Sequence, residues 1–142
     1  MTVRRLPDWR ERLEAEVRRK ADYAFAWGSN DCCLFACDLV RAMTGVDYAA
    51  AFRGRYSTPL GAARTLRDVA GVATLPDLLD KLAAQEPWSE IDPSSATSGD
   101  WTLLDGPHGP TLAIRFGQLV AAPGDVGVSL LPASRSLRAW AL

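Results

Sequence analysis

The feature that most constrains this chain is a change of texture at Gly99. Before it, apolar residues recur at helical spacing between side chains that start and stop helices. After it, "DWTLL", "TLAIRFG", "QLVAA" and "VGVSLL" are short apolar runs separated by Gly, Pro and Asp. Runs of this length bounded by turn residues read as strands of an antiparallel meander. "DGPHGP" is the turn between the first two, and "LRAWAL" reads as a last strand. Helices first and strands later imply an α+β domain, with N-terminal helices packed on a small C-terminal antiparallel sheet. At 142 residues the chain fits one domain over 1–142, which buries roughly 68–70% of its unfolded surface. Within it we expect an N-terminal helix and loop at 1–25, a helical half at 26–85 and strands at 99–142.

The helical half has its own punctuation. Pro7 suits a first helical position, and Trp9, Leu13 and Val17 recur every fourth residue, which predicts a helix from Pro7 to Ala21. The "VRRK" that closes it reads as a polar face. A second helix starts near Asp31 and runs to Met43. Asn30 or Asp31 can cap it and Gly45 can stop it. Leu34, Phe35, Cys37, Leu39 and Val40 make it apolar around most of its circumference, the pattern of a central helix buried on several sides. "VDYAAAFRGRY" reads as a short helix that breaks at Gly54, with "RGRY" (Arg53 to Tyr56) a solvated loop anchored by its Tyr, or in the alternative a contact for a partner or nucleic acid. Ser57 or Thr58 before Pro59, and Thr74 before Pro76, mark two further helix starts. Glu86 to Ser98 is rich in Pro and Ser and reads as a connecting loop.

Charge and composition exclude several classes. The formal net charge is −1, which argues against broad, sequence-independent DNA binding. No stretch approaches the roughly 18 apolar residues of a membrane-spanning helix, and the N-terminus lacks the apolar core of a signal peptide. Folding in a cytoplasm is the expectation. The three cysteines, Cys32, Cys33 and Cys37, cluster on the second helix. Their odd count and close spacing make a poor disulfide framework, so free thiols are expected. Cys33 and Cys37 share a helix face, but with no nearby fourth ligand they make a poor metal site. No cofactor is expected.

Cys32 stands where the second helix begins. Aligned peptide dipoles and unpaired N–H groups there favour an anion and lower a thiol pKa. A nucleophilic thiol also needs a base within hydrogen-bond reach and a group to orient that base. Asp31 reads first as the helix cap. His108, the one histidine of the chain, lies in the Gly-Pro turn.

Trp27-Gly28, a short gap, then Asp31-Cys32 at the head of a buried helix resembles the NlpC-type papain-like cell-wall peptidases. Gly99-Asp100 resembles the Gly-Asp that precedes the sheet in that family. More closely, "FAWGSNDCCLFACDLVRAMTGVD", "FRGRYST", "GAARTLR" and "LRAWAL" resemble a group of small phage and prophage proteins encoded among tail genes. The resemblance implies a papain-like single domain with Cys32 in the nucleophile position. The family's His opens the second strand, and the matching stretch "TLAIRFG" puts Thr111 there. The family's third polar residue lies on the following strand, where Ala121 and Ala122 stand. Both partners of the thiol are therefore missing from the expected positions. His108 is three residues before Thr111, about 10 Å of extended strand. It reads as a solvated turn histidine, or as a substitute base if the hairpin tip folds back.

Three functions follow from the resemblance. The first is a structural component of a phage or prophage tail tip on a degenerate, non-catalytic peptidase fold, made in the bacterial host cytoplasm and located in the virion tail. The second is an active thiol peptidase or amidase that cuts peptidoglycan during infection. A tail assembly factor is a third. The expected partners are other tail proteins and, for the enzyme, peptidoglycan, with no sequence-specific nucleic acid. Trp88, Trp101 and Trp140 are the candidate contacts for such partners, with Glu86 to Ser98 as a docking segment; packing within the domain is the alternative reading for each. Trp9 and Trp27 read as packing residues.

Overall fold

The computed structural model describes residues 4–86 and 88–142. Four α-helices come first: α1 (Trp9–Arg19), α2 (Cys32–Thr44), α3 (Pro59–Thr65) and α4 (Leu75–Gln85). Six strands follow: β1 (Ser89–Ile91), β2 (Trp101–Gly106), β3 (Gly109–Phe116), β4 (Leu119–Pro123), β5 (Val128–Pro132) and β6 (Arg138–Ala141). They form one antiparallel sheet in the order β1-β6-β2-β3-β4-β5. The α+β expectation therefore holds.

Local chemistry sets the helix ends. Asp31 caps α2, with its carboxylate accepting the Leu34 N–H, and Gly45 ends it in the left-handed conformation. Thr58 and Thr74 cap α3 and α4, each with a Pro in the first turn. After α3 the helix widens into a π turn over Leu66–Ala70, which Gly71 terminates. Leu34, Phe35, Ala36, Cys37, Leu39, Val40 and Met43 of α2 are all buried, so this helix is the centre of the core. It packs between α1 and one face of the sheet, where Trp101, Leu103, Leu112, Ile114, Ala121 and Trp140 meet it. Strand alternation sends Leu104, Ala113, Val120 and Ala122 to the other face, under Leu131 and Ala133.

Several expectations need correction. Tyr48 to Gly54 is a run of turns and not a helix. Asp47 accepts the Ala49 N–H and pairs with Arg53, which bends the segment back on itself. Arg53 is no solvated loop residue, since it also pairs with Asp38, and Asp38 pairs with Lys20 at 2.6 Å. Lys20, read as part of a polar face, is 4% exposed. Its charge is tolerated there because a carboxylate meets it. The Glu86 to Ser98 stretch holds β1 and a short 3₁₀ turn (Pro93–Ser95), because β6 offers β1 a free edge; Pro87 lies outside the described residues.

The tryptophans expected as partner contacts belong to the core. Trp88, Trp101 and Trp140 are 8%, 1% and 1% exposed. Trp88 and Trp101 meet edge to face at 5.0 Å, with Tyr48 against both. Such large rings gain most by leaving water, and the sheet buries all three. Trp9 and Trp27 are half-buried, and the guanidinium groups of Arg5 and Arg10 lie 4.2 and 4.4 Å from the Trp9 ring centroid.

Candidate functional site

The head of α2 is held by one carboxylate. Asp31 is 2% exposed. Besides the Leu34 N–H at 3.0 Å, it accepts the Gly28 N–H at 3.1 Å and the Tyr56 hydroxyl at 2.5 Å. Burial, then the Asp31 carboxylate, push the Tyr56 phenol far above its ordinary pKa. Gly28 has φ +80°, and a Cβ there would fall 1.9 Å from the Tyr56 carbonyl oxygen. The Trp-Gly and Asp-Cys elements thus serve one purpose, which is to clamp the loop, the Tyr56 segment and the helix start together. Asp31 is a cap and a clamp, with both carboxylate oxygens engaged.

Cys32 begins α2 and is half-buried. Its thiol pKa is lowered, first by a hydrogen bond from the Cys33 thiol and further by the backbone of Leu112. Burial and the Asp31 charge oppose this. The donating Cys33 is pushed well up by that bond and by burial, and burial raises Cys37 as well. Of the three thiols, Cys32 alone is shifted toward thiolate.

Two cavities meet at Cys32. One, about 310 Å³, runs between α2, α3, α4 and the β2–β3 hairpin, and is lined mainly by apolar side chains such as Phe52, Leu66, Leu79 and Leu112. The other, about 300 Å³, lies along the hairpin tip and the β4–β5 turn, past Asp105, Asp125 and Ser129. Trp27, Cys32, His108 and Pro110 border both. His108 is exposed, but its ring stacks on Phe25 at 4.6 Å and meets the edge of Trp27 at 5.7 Å. The hairpin tip therefore carries the imidazole to the mouth of the Cys32 cleft. Among the described residues, no hydrogen bond joins it to Cys32, and no acceptor orients its ring.

The strands place the other named positions as follows. The Cys32 thiol meets β3 at Leu112, one residue beyond Thr111. Thr111 pairs with Leu104 on the face turned away from α2, and its hydroxyl donates to the Gly109 carbonyl. Ala121 faces α2 and Ala122 the opposite side. Pro110, Leu112 and Ala121 are what the sheet presents toward the thiol, and none can take a proton.

Sequence reasoning missed Tyr56 as the partner of Asp31, and it missed the Phe25–Trp27–His108 cluster. The aromatic run "DYAFAW" was the available signal. Gly99-Asp100 proves architectural. Asp100 is 5% exposed and accepts from Arg5, the Thr97 N–H and the Leu142 N–H, tying both ends of the fold to the start of β2. Among the described residues, no three His, Cys, Asp or Glu side chains are placed to hold a metal ion, and no helix is long and apolar enough to cross a membrane.

Fold and site together define an α+β domain with a half-buried thiol at the start of its central helix, between two cavities. The chain belongs to the family described as a domain of unknown function, DUF6950, which matches residues 4–142. No curated protein matches it.

Proposed function

We propose that this protein is a structural component of a phage or prophage tail tip, built on a catalytically silent scaffold of the NlpC-type papain-like kind. One observation carries the silence. The strand face opposite Cys32 presents Pro110, Leu112 and Ala121, so the thiol has no base in the place where such a scaffold would put one. A thiol hydrolase needs proton transfer to its leaving group, and a placed base typically contributes 10²–10⁴-fold. The tail assignment rests on the resemblance of the Trp27-Gly28, Asp31-Cys32 and "FRGRYST" segments to tail-associated proteins. The test has two arms. Purified protein should release no product from peptidoglycan fragments, and it should copurify with neighbouring tail proteins and be found in intact particles. A protein that binds none of them and is absent from particles defeats the structural reading.

A second reading has its own support. His108 borders both cavities beside Cys32, and catalytic hydrogen bonds often tighten only when substrate binds. In this reading Cys32 attacks a peptide or amide carbonyl of peptidoglycan, N–H groups at the head of α2 hold the oxyanion, and His108 carries the proton. Turnover that is lost in both Cys32→Ala and His108→Ala would establish it. A protein that copurifies with tail proteins but is missing from finished particles would instead be an assembly factor.

A further inference from the structure

Arg115 stands apart from the other buried cations. It is 8% exposed. Lys20 and Arg5, also buried or half-buried, each meet a carboxylate at 2.6 and 2.9 Å. Among the described residues no carboxylate pairs with Arg115. A buried cation without a counter-charge is costly, and folds keep one where something else supplies the charge.

The backbone fixes where this guanidinium goes. Arg115 pairs with Val120 on the sheet face turned away from α2. Its own N–H donates to the Asp100 carbonyl at 2.8 Å, and its carbonyl accepts from Gly99. Its Nε donates to the Gly117 carbonyl at 2.7 Å. That leaves its two terminal nitrogens without a hydrogen-bond partner among the described residues. Arg115 lines an open cleft of about 610 Å³ between the 3₁₀ turn at Pro93–Ser95 and a second one at Ala133–Arg135. The cleft's other polar walls are Asp92, Ser94, Gln118, Ser134 and Ser136. The Ser136 hydroxyl is buried with no hydrogen-bond partner. Asp92 is engaged locally, accepting the Ser94 N–H and O–H at 2.9 and 2.6 Å.

We propose that this cleft binds a carboxylate. A guanidinium with its Nε occupied presents an end-on fork of two parallel donors, which matches the two oxygens of a carboxylate. Ser136 supplies a further donor to the same group. The Asp92 charge on the cleft wall disfavours a dianion, so a carboxylate is preferred over phosphate. The site lies on the far side of the sheet from Cys32 and stands whether or not the thiol is active.

The test is a titration of isotope-labelled protein at neutral pH, following the Arg115 guanidinium and the Ser136 amide by NMR. Sodium acetate should shift both saturably, and sodium chloride at equal ionic strength should not. Losing one hydrogen bond to a charged group should weaken acetate binding about tenfold in Ser136→Ala. Arg115→Lys keeps the charge but not the fork, and should weaken it by at least as much. If that variant does not fold, Ser136→Ala still decides. A short peptide with a free C-terminus, compared with its amide, separates a chain end from a free acid as the source of the carboxylate. No saturable shift with acetate, an equal response to chloride, or tighter binding of phosphate than of acetate overturns the proposal.

Discussion

Gly28 and Gly45 form a natural pair for testing how the head of α2 is held. Their φ angles are +80° and +81°, so a Cβ suffers the same backbone strain at each, about 1–2 kcal/mol. Their surroundings differ. An added Cβ at Gly45 meets nothing within 4 Å, while at Gly28 it falls 1.9 Å from the Tyr56 carbonyl oxygen and 3.2 Å from the Ser57 Cα. Backbone cannot be compressed that far, so the segment at Tyr56 must move off. The Tyr56 hydroxyl then leaves Asp31, and a hydrogen bond to a charged group is worth about 1.5–3 kcal/mol. Gly45→Ala should therefore cost about 1–2 kcal/mol and Gly28→Ala about 3–5 kcal/mol. For a domain of this size that corresponds to roughly 3 °C of Tm per kcal/mol. Urea unfolding followed by tryptophan fluorescence measures both, with an unchanged slope confirming a stability effect. Gly28→Ala should also change the alkylation rate of Cys32, and Gly45→Ala should not. Equal losses in the two variants would refute the clamp.

Three further outcomes are expected. Iodoacetamide at neutral pH should label Cys32 before Cys33 and Cys37, since only the first thiol is shifted toward thiolate; peptide mass mapping reads the order. Trp88→Ala should lower stability by about 3–5 kcal/mol, as expected for a buried tryptophan and not for a surface contact; denaturant midpoints check this. Asp47 has its pKa held below the ordinary 3.8, first by its hydrogen bond from Arg53. A depressed folded-state pKa means the contribution is complete above the unfolded value and is lost as pH falls through the folded one. Arg53→Met should therefore lose stability near neutrality, yet lose less than the parent when the pH is taken below about 4, as measured by urea midpoints across that range.

The parts legible in the sequence are those whose causes are local. Asp31, Gly45, Thr58 with Pro59, and Thr74 with Pro76 sit within four residues of the groups they cap, and all four helix ends came out where these residues put them. The strands after Gly99 were legible because Gly, Pro and Asp bound each one. What failed depended on distant partners. Lys20 looks like surface until Asp38 is brought beside it, and Arg53 looks solvated until it meets both Asp38 and Asp47. Trp88 and Trp140 look like contacts for a partner because nothing nearby in the chain shows that β1 and β6 pair. At the site, Cys32 and its cap were readable from the helix start. The placement of His108 was not, because it comes from ring stacking across more than eighty residues of chain.

The position of β6 bears on when this fold can be completed. It is the last of the described elements to leave the ribosome, yet it lies inside the sheet, between β1 and β2. Until residues 138–141 emerge, β1 has no neighbour and β2 keeps an open edge with Trp101 beside it. The helices and the β2–β5 meander can gather earlier on the growing chain, but they do so around a gap where Trp140 belongs. A nascent chain is thus left with an unpaired strand edge, the kind of surface on which chains stick to one another. Deleting residues 138–142 would hold the molecule in that state permanently.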